Sequence, residues 1–409
     1  MIELIPLSKS VFAEVTIPGS KSITNRALIL AALTPNVVTI QNPLRSDDTE
    51  AMIKSLRALG IVIEKRANTF VVRGNYTDVK DGAYHINAHL SGTTIRFMTA
   101  FCCIVAGVKT ISGEKRLNER PIKGLVDALR QLGAMIEYVG KEGFPPIKIS
   151  SSQLENNSID IDGSVSSQFV TAIMLLRPVI GDIKITFSTP PISSSYIDLT
   201  QHMMSEWKFE GINTYTIEGD YSAAGYFAAI AALTSSTIIL KNLKSDSKQG
   251  DKQFLDILTK MGTEVEYNNE GIVVRGHGVC PVEVNMEQCP DQAQTLAVLA
   301  AFAKGTSVLT GVRSLRVKET ERVKAVQAEL AKMNIKTESP DEDTLIIYGG
   351  DPKPATIETY NDHRMAMSFA VAGSKLSGMK INNQEVVNKT FPEFWNVLQG
   401  IGIVVNHIS

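Results

Sequence analysis

Residues 18–34 read Pro-Gly-Ser-Lys-Ser-Ile-Thr-Asn-Arg-Ala-Leu-Ile-Leu-Ala-Ala-Leu-Thr. A strand-like run at 13–17 precedes them, and Pro18 with Gly19 breaks it. Ser20 or Ser22 is placed to cap the helix that follows. From Ala27 onward that helix is apolar on nearly every side, so it must be buried. Lys21 and Arg26 bring two cations to its start, where exposed N–H groups and the helix dipole already favour an anion. Taken alone, the stretch fits a phosphate or carboxylate site and fits equally an ordinary capped helix with two solvated cations.

The same plan recurs along the chain. Apolar, Ala-rich segments begin near Ser22 (SITNRALILAALT), Thr93 (TTIRFMTAFCCIVAG), Ser166 (SSQFVTAIMLLRPVI), Ser222 (SAAGYFAAIAALT), Asp291 (DQAQTLAVLAAFAKG) and Asp362 (DHRMAMSFAVAGS). Their spacings are 71, 73, 56, 69 and 71 residues. An amphipathic series interleaves with them at 51–59, 122–132, 196–207, 254–261, 323–333 and 394–399. Most of these run into Gly or Asn and then a strand, as a helix C-cap requires. In 122–132, Ile122, Leu125, Val126, Leu129 and Leu132 mark one face at helical spacing. One unit thus holds a buried helix, a strand, an amphipathic helix and further strands, six times over. The short 56-residue interval falls between the third and fourth units. The expectation is an α/β chain of two domains with three units each, residues 1–18 plus 219–409 in one and 19–218 in the other. Two crossover segments would lie near 18 and 219, with the strand before Pro18 belonging to the second domain.

Composition narrows the function. The chain has 409 residues, is 44% hydrophobic and 21% charged, and carries a formal net charge of −2. No basic excess advertises a nucleic-acid partner, and no apolar run reaches the length of a membrane span. The N-terminus carries no apolar signal core. The four cysteines, Cys102, Cys103, Cys280 and Cys289, have neither zinc-site nor disulfide-framework spacing. A reducing cytoplasm is the expected setting. P-loop, dinucleotide, HExxH and GxSxG patterns are absent.

What precedes each buried helix is the informative feature. Lys21, Ser22 and Arg26 open the first. Ser91, Gly92 and Arg96 open the second, and Ser166, Ser167 and Gln168 the third. Asp220 and Ser222 open the fourth, Asp291 the fifth, and Asp362, His363 and Arg364 the sixth. Further cations lie at Arg120, Arg316, Lys318, Arg322 and Lys389. Cationic motifs in a nearly neutral chain suit small multiply charged anions better than a polymer. Among them stand two carboxylates, Asp291 and Glu319, candidates for acid–base work. Each also has a plainer reading, Asp291 as a helix cap and Glu319 as an ion-pair partner; His363 reads as a capping or packing imidazole.

These motifs resemble those of the EPSP synthases (3-phosphoshikimate 1-carboxyvinyltransferases) of the enolpyruvyl transferase superfamily. The matching stretches are PGSKSITNRALILAAL, SGTTIRF, NERPIKGLVDALRQLGA, DGSVSSQF, EGDYSAAGYF, RVKETERV, TYNDHRMAM and NKTFPEF, in the family's order from residue 18 to 394. The resemblance implies an enolpyruvyl transferase-like fold of six βαβαββ-type units. It implies transfer of enolpyruvyl from phosphoenolpyruvate to the 5-hydroxyl of shikimate 3-phosphate, through a tetrahedral intermediate with release of phosphate. No cofactor, metal or covalent enzyme intermediate is expected, and a monomer in the cytoplasm is. Carried over by resemblance, Lys21, Ser22, Arg26, Ser166, Ser167, Ser193, Asp291 and Lys318 hold shikimate 3-phosphate. Lys21, Gly92, Arg120, Arg322, Arg364 and Lys389 hold phosphoenolpyruvate, and Gln168 lies between the two ligands. Asp291 takes the proton of the 5-hydroxyl; Glu319, assisted by Lys21, protonates the methylene carbon.

The chain departs from the family pattern at four places. Leu90 and Phe97 replace a usual Asn and Pro. Ser314 stands where an Asn usually touches phosphoshikimate. The third unit is short after residue 196. Two rivals remain at this level. The sister enzyme acting on UDP-N-acetylglucosamine carries a reactive Cys in the loop before its Arg-Pro, and residues 112–120 here have none. A non-catalytic anion-binding homologue would not need Lys21, Asp291, Glu319 and Arg364 together.

Overall fold

A helix with no polar face is stable only where every side is covered, and six such helices form the interior of this protein. They are Lys21–Leu33, Gly92–Ile104, Ser167–Met174, Tyr221–Thr234, Ala293–Phe302 and His363–Gly373. The computed structural model describes residues 1–164 and 166–408. The chain divides into two units, Met1–Pro18 with Gly219–Ser409, and Gly19–Glu218. Each unit has its own continuous apolar core. In the first, the last three inner helices pack directly on one another. Alanine on several faces lets their backbones approach, while Phe227, Leu296 and Phe369 are fully buried among them. Burying each such side chain contributes roughly 1.5–3 kcal/mol.

Five of the six repeats build the same four-stranded sheet. The second shows the rule. Strand Ala83–Asn87 runs into the inner helix Gly92–Ile104 and returns as Val108–Ser112, parallel to it. The amphipathic helix Lys123–Gln131 follows, then the antiparallel pair Met135–Tyr138 and Ile147–Ser150, which closes onto Val108–Ser112. The sixth repeat is circularly rearranged: its central strand is the N-terminal Ile2–Ile5, antiparallel to both Met379–Ile381 and Val404–His407. The third repeat is truncated. Ser158–Asp162 and Lys184–Thr189 pair in parallel, and among the described residues no antiparallel pair follows the helix Ser195–Glu206. The 56-residue interval leaves too little chain for it.

The chain passes from one unit to the other twice, after Pro18 and after Glu218, and the strand before each crossing pairs within its own unit. Phe12–Thr16 pairs in parallel with Thr237–Lys241, and Thr214–Thr216 pairs in parallel with Val38–Gln41. Each therefore serves the unit that does not contain the helix following it in the chain. Both crossings pass through a glycine. A Cβ on Gly19 would lie 2.1 Å from the carbonyl oxygen of Asn42, and one on Gly219 would lie 2.5 Å from that of Asn242. Both asparagines are left-handed, with φ of 52° and 68°. Asn42 Nδ2 donates to the Ile217 carbonyl at 2.8 Å, and Asn242 Nδ2 to the Ile17 carbonyl at 2.8 Å. The two crossings are thus internal equivalents, each fixed inside its own unit.

Candidate active site

The inner-helix entrances differ in how they are closed. Side chains of Ser91, Ser166, Asp220 and Asp362 accept N–H bonds at the second, third, fourth and sixth helices. The first and fifth have no side-chain cap. Ser20 occupies the cap position of the first helix, yet its Oγ is buried without a hydrogen bond, and Ser22 lies inside the helix. The capping read from the sequence for Ser20 or Ser22 is therefore absent. The positive end of this helix and the Lys21 ammonium favour an anion at the entrance.

In the unit Gly19–Glu218, Lys21 Nζ lies 3.2 Å from the buried Asp48 carboxylate. Arg26 is buried, and its guanidinium donates to Thr200 Oγ1 at 2.8 Å, the Ser22 carbonyl at 2.9 Å and the Tyr196 carbonyl at 3.3 Å. The rings of Phe97 and Tyr196 stand 5.5 and 6.0 Å from it. Burial pushes this guanidinium down to about 10, against a smaller opposing effect from Tyr196. A second cluster gathers at the entrance of Gly92–Ile104. Arg96 Nη1 donates to Gln168 Oε1 at 2.8 Å and to the Gly92 carbonyl at 3.0 Å, while Gln168 Nε2 donates to Thr93 Oγ1 at 3.4 Å. A Cβ on Gly92 would lie 2.6 Å from Arg96 Nη1 and 2.7 Å from Arg120 Nη1. Gly92, Arg120 and Gln168, far apart in sequence, are thus brought together with Arg96. Ser166 and Ser167 open the neighbouring inner helix. Ser193 is buried with a left-handed φ of 52°, just before the helix Ser195–Glu206. Val165 of the DGSVSSQF motif lies outside the described residues.

In the other unit, charges alternate in a chain of direct contacts. Lys389 Nζ donates to Glu319 Oε1 at 2.8 Å, and Glu319 Oε2 accepts from Arg322 Nη2 at 3.0 Å. Arg322 Nη1 donates to Asp291 Oδ1 at 3.0 Å, and Asp291 Oδ2 accepts from Arg364 Nη2 at 2.9 Å. Behind them, Arg322 Nε donates to the fully buried Asp362 at 2.7 Å. Burial by itself would lower the Arg322 guanidinium. Asp362, Glu319 and Asp291 outweigh it and hold the group above the ordinary arginine range. Asp291 is not a helix cap: it sits in the single turn Pro290–Gln292 ahead of the helix and turns its carboxylate onto two arginines. His363 does not cap either; the cap is Asp362, and the imidazole is buried with Nδ1 3.6 Å from that carboxylate. Arg316 belongs to a structural contact, bonding Glu321, Ser339 and the 341–342 carbonyls. Ser314 lies in the turn Arg313–Val317, and Lys318 follows it.

Sequence reasoning missed Asp251. It is buried, accepts a hydrogen bond from Ser222 Oγ at Oδ2, and leaves Oδ1 without a partner. Ser222 Oγ in turn accepts from Arg364 at 3.3 Å. Burial, reinforced by repulsion from Asp291 and opposed by Arg364, lifts the Asp251 carboxyl to about 7. Asp48 was missed too, because an acid in the first turn of an amphipathic helix reads as a dipole partner.

Repeated α/β units carry cation–carboxylate clusters at their inner-helix entrances, an arrangement suited to small anionic ligands, on a fold of two units built from six repeats. The solved structure of EPSP synthase from Acinetobacter baumannii has this fold, with a TM-score of 0.81 over 99% of each chain at 24% identity. A family model described as EPSP synthase (3-phosphoshikimate 1-carboxyvinyltransferase) matches residues 6–398. The 3-phosphoshikimate 1-carboxyvinyltransferase of Sulfurovum sp. (strain NBC37-1) is 38% identical over 95% of this chain and 96% of its own. That of Methanoregula boonei is 35% identical over 98% and 100%. The chain belongs to the EPSP synthase family and is a transferase. Among the described residues no helix is long and apolar enough to cross a membrane.

Proposed function

We propose that this enzyme transfers the enolpyruvyl group of phosphoenolpyruvate to the 5-hydroxyl of shikimate 3-phosphate and releases phosphate, within aromatic amino-acid biosynthesis. The observation that carries the reading is the alternating chain Lys389–Glu319–Arg322–Asp291–Arg364. It couples the two carboxylates suited to acid–base work to the three cations suited to phosphoenolpyruvate. The incoming carboxylate and phosphate compete with Glu319 and Asp291 for those cations. As the substrate takes over Arg322, Arg364 and Lys389, Asp291 is released to accept the 5-hydroxyl proton. Glu319 is released to exchange a proton with the methylene carbon, with Lys21 assisting. Proton transfer of this kind supplies roughly 10²–10⁴-fold; fixed cations around the tetrahedral intermediate supply much of the rest.

Gly92, Arg120 and Gln168 complete the phosphoenolpyruvate set. Lys21, Ser22, Arg26, Ser166, Ser167, Gln168, Ser193, Asp291, Ser314 and Lys318 make the shikimate 3-phosphate set. For Arg26 the support is physical: its bonded partners are neutral oxygens, so a buried cation is left for an anionic ligand to neutralise. The enzyme acts as a cytoplasmic monomer in this reading.

Pure protein mixed with both substrates tests it by phosphate release. Asp291→Ala and Glu319→Ala are expected to lower kcat by about 10² or more, far more than they raise KM. No release from the wild type, or an unchanged kcat in either variant, removes the corresponding assignment.

A further inference from the structure

Glu329 is a charged residue where the helical pattern calls for an apolar one. On the amphipathic helix Arg322–Lys332 the buried residues are Arg322, Val323, Ala325, Val326, Glu329 and Leu330. Burying a carboxylate in such a stripe is unfavourable unless its oxygens are fully engaged, and here they are. Oε1 accepts from Tyr360 Oη at 2.7 Å; Oε2 accepts from Lys332 Nζ at 2.8 Å and from the Glu358 N–H at 3.0 Å. Two of these donors belong to the segment that leads into Asp362, His363 and Arg364.

That segment has an uncommon backbone. Tyr360 and Asn361 are consecutive left-handed residues, with φ of 52° and 55°. Neither is glycine, and a bulky residue in this region persists only where its surroundings hold it. Asn383, itself left-handed at φ 48°, donates from Nδ2 to Asn361 Oδ1 at 2.7 Å. The segment then delivers Asp362, which caps the sixth inner helix at the Arg364 N–H and receives Arg322 Nε. Arg322 and Glu329 are seven residues apart, two turns along one face of the same helix. One helix therefore grips the segment at two points, Glu329 before the left-handed pair and Arg322 just after it.

We propose that Glu329 is a positioning residue for Arg364: through the Tyr360 hydroxyl and the Glu358 amide it locks the left-handed turn that sets where the Arg364 guanidinium stands beside Arg322. This rests on the reading of Arg322 and Arg364 as phosphoenolpyruvate ligands. The burial of a charge at 329 is thereby accounted for by geometry at the site.

The test compares Glu329→Gln, Tyr360→Phe and the double variant with the wild type. Hydrogen exchange of the 358–366 peptide is followed in the ligand-free proteins, and steady-state kinetics by phosphate release. Tyr360→Phe keeps the ring and removes only the hydroxyl, so it keeps the test valid if Glu329→Gln folds poorly. Expected are faster exchange confined to that peptide and a five- to tenfold rise in KM for phosphoenolpyruvate in each single variant. The double variant should be no worse than the weaker single. KM for shikimate 3-phosphate and kcat should stay within twofold. An unchanged KM for phosphoenolpyruvate in both single variants overturns the inference, even if thermal stability falls. So does exchange no faster than in the wild type. A wild type without phosphate release overturns the functional reading instead, and the exchange comparison still decides the clamp.

Discussion

Replacing Asp251 by Asn should stabilise the protein, and by an amount that grows with pH. The Asp251 carboxyl is buried with one oxygen unpartnered, and burial holds its folded-state value near 7 against an ordinary 3.8. Between those values the folded state keeps a proton that the unfolded chain has lost. Unfolding then releases a proton, and stability falls as pH rises through this window. Above about pH 7 the loss is complete, and at 1.36 kcal/mol per pH unit it amounts to about 4 kcal/mol. Asn binds no proton in either state, so the variant escapes the loss. From pH 5 to pH 8 its advantage should widen by about 2–3 kcal/mol, or roughly 5–10 °C in Tm for a unit of this size. Thermal unfolding of both proteins at pH 5, 6, 7 and 8 measures this. An advantage that is flat with pH, or that shrinks as pH rises, refutes the reasoning.

Three further substitutions probe the frame around the site. Arg322→Lys keeps the charge but loses the fork that reaches Asp291, Glu319 and Asp362. It should cost about 1.5–3 kcal/mol in denaturant unfolding, and a midpoint equal to the wild type would contradict it. Gly92→Ala places a methyl 2.6–2.7 Å from Arg96 and Arg120 and should raise KM for phosphoenolpyruvate severalfold with Tm nearly unchanged; equal KM values would show that both guanidinium groups move aside freely. Gly19→Ala drives a Cβ to 2.1 Å from the Asn42 carbonyl, whose residue is tied to Ile217. It should destabilise by more than about 2 kcal/mol, read as a fall in Tm, and a wild-type Tm would deny the close crossing.

The inner helices were legible because their signal is local. A run such as SAAGYFAAIAALT can satisfy its backbone only as a helix and its side chains only in a core, and the structure buries nearly all of it. The amphipathic helices were legible for the same reason, to within a few residues at their ends. The truncated third repeat was visible only as a short interval; that it forfeits its antiparallel pair emerges from strand pairing. Ser20 shows the opposite error. A serine before an apolar helix reads as a cap, yet its hydroxyl caps nothing, because capping depends on a rotamer that the sequence does not record.

By itself, then, the sequence determined the repeat, the buried helices, the cationic entrances and, through its motifs, the family. These depend on residue order over short spans, where periodicity and turn chemistry act. Tertiary structure alone decided which charges meet. Arg322 joins Asp291, Glu319 and Asp362, which lie 31, 3 and 40 residues away, and Ser222 bridges Asp251 to Arg364. Such contacts follow from how the repeats pack, and the energies of buried charges follow from the resulting low dielectric, a property of the folded interior that no local pattern carries.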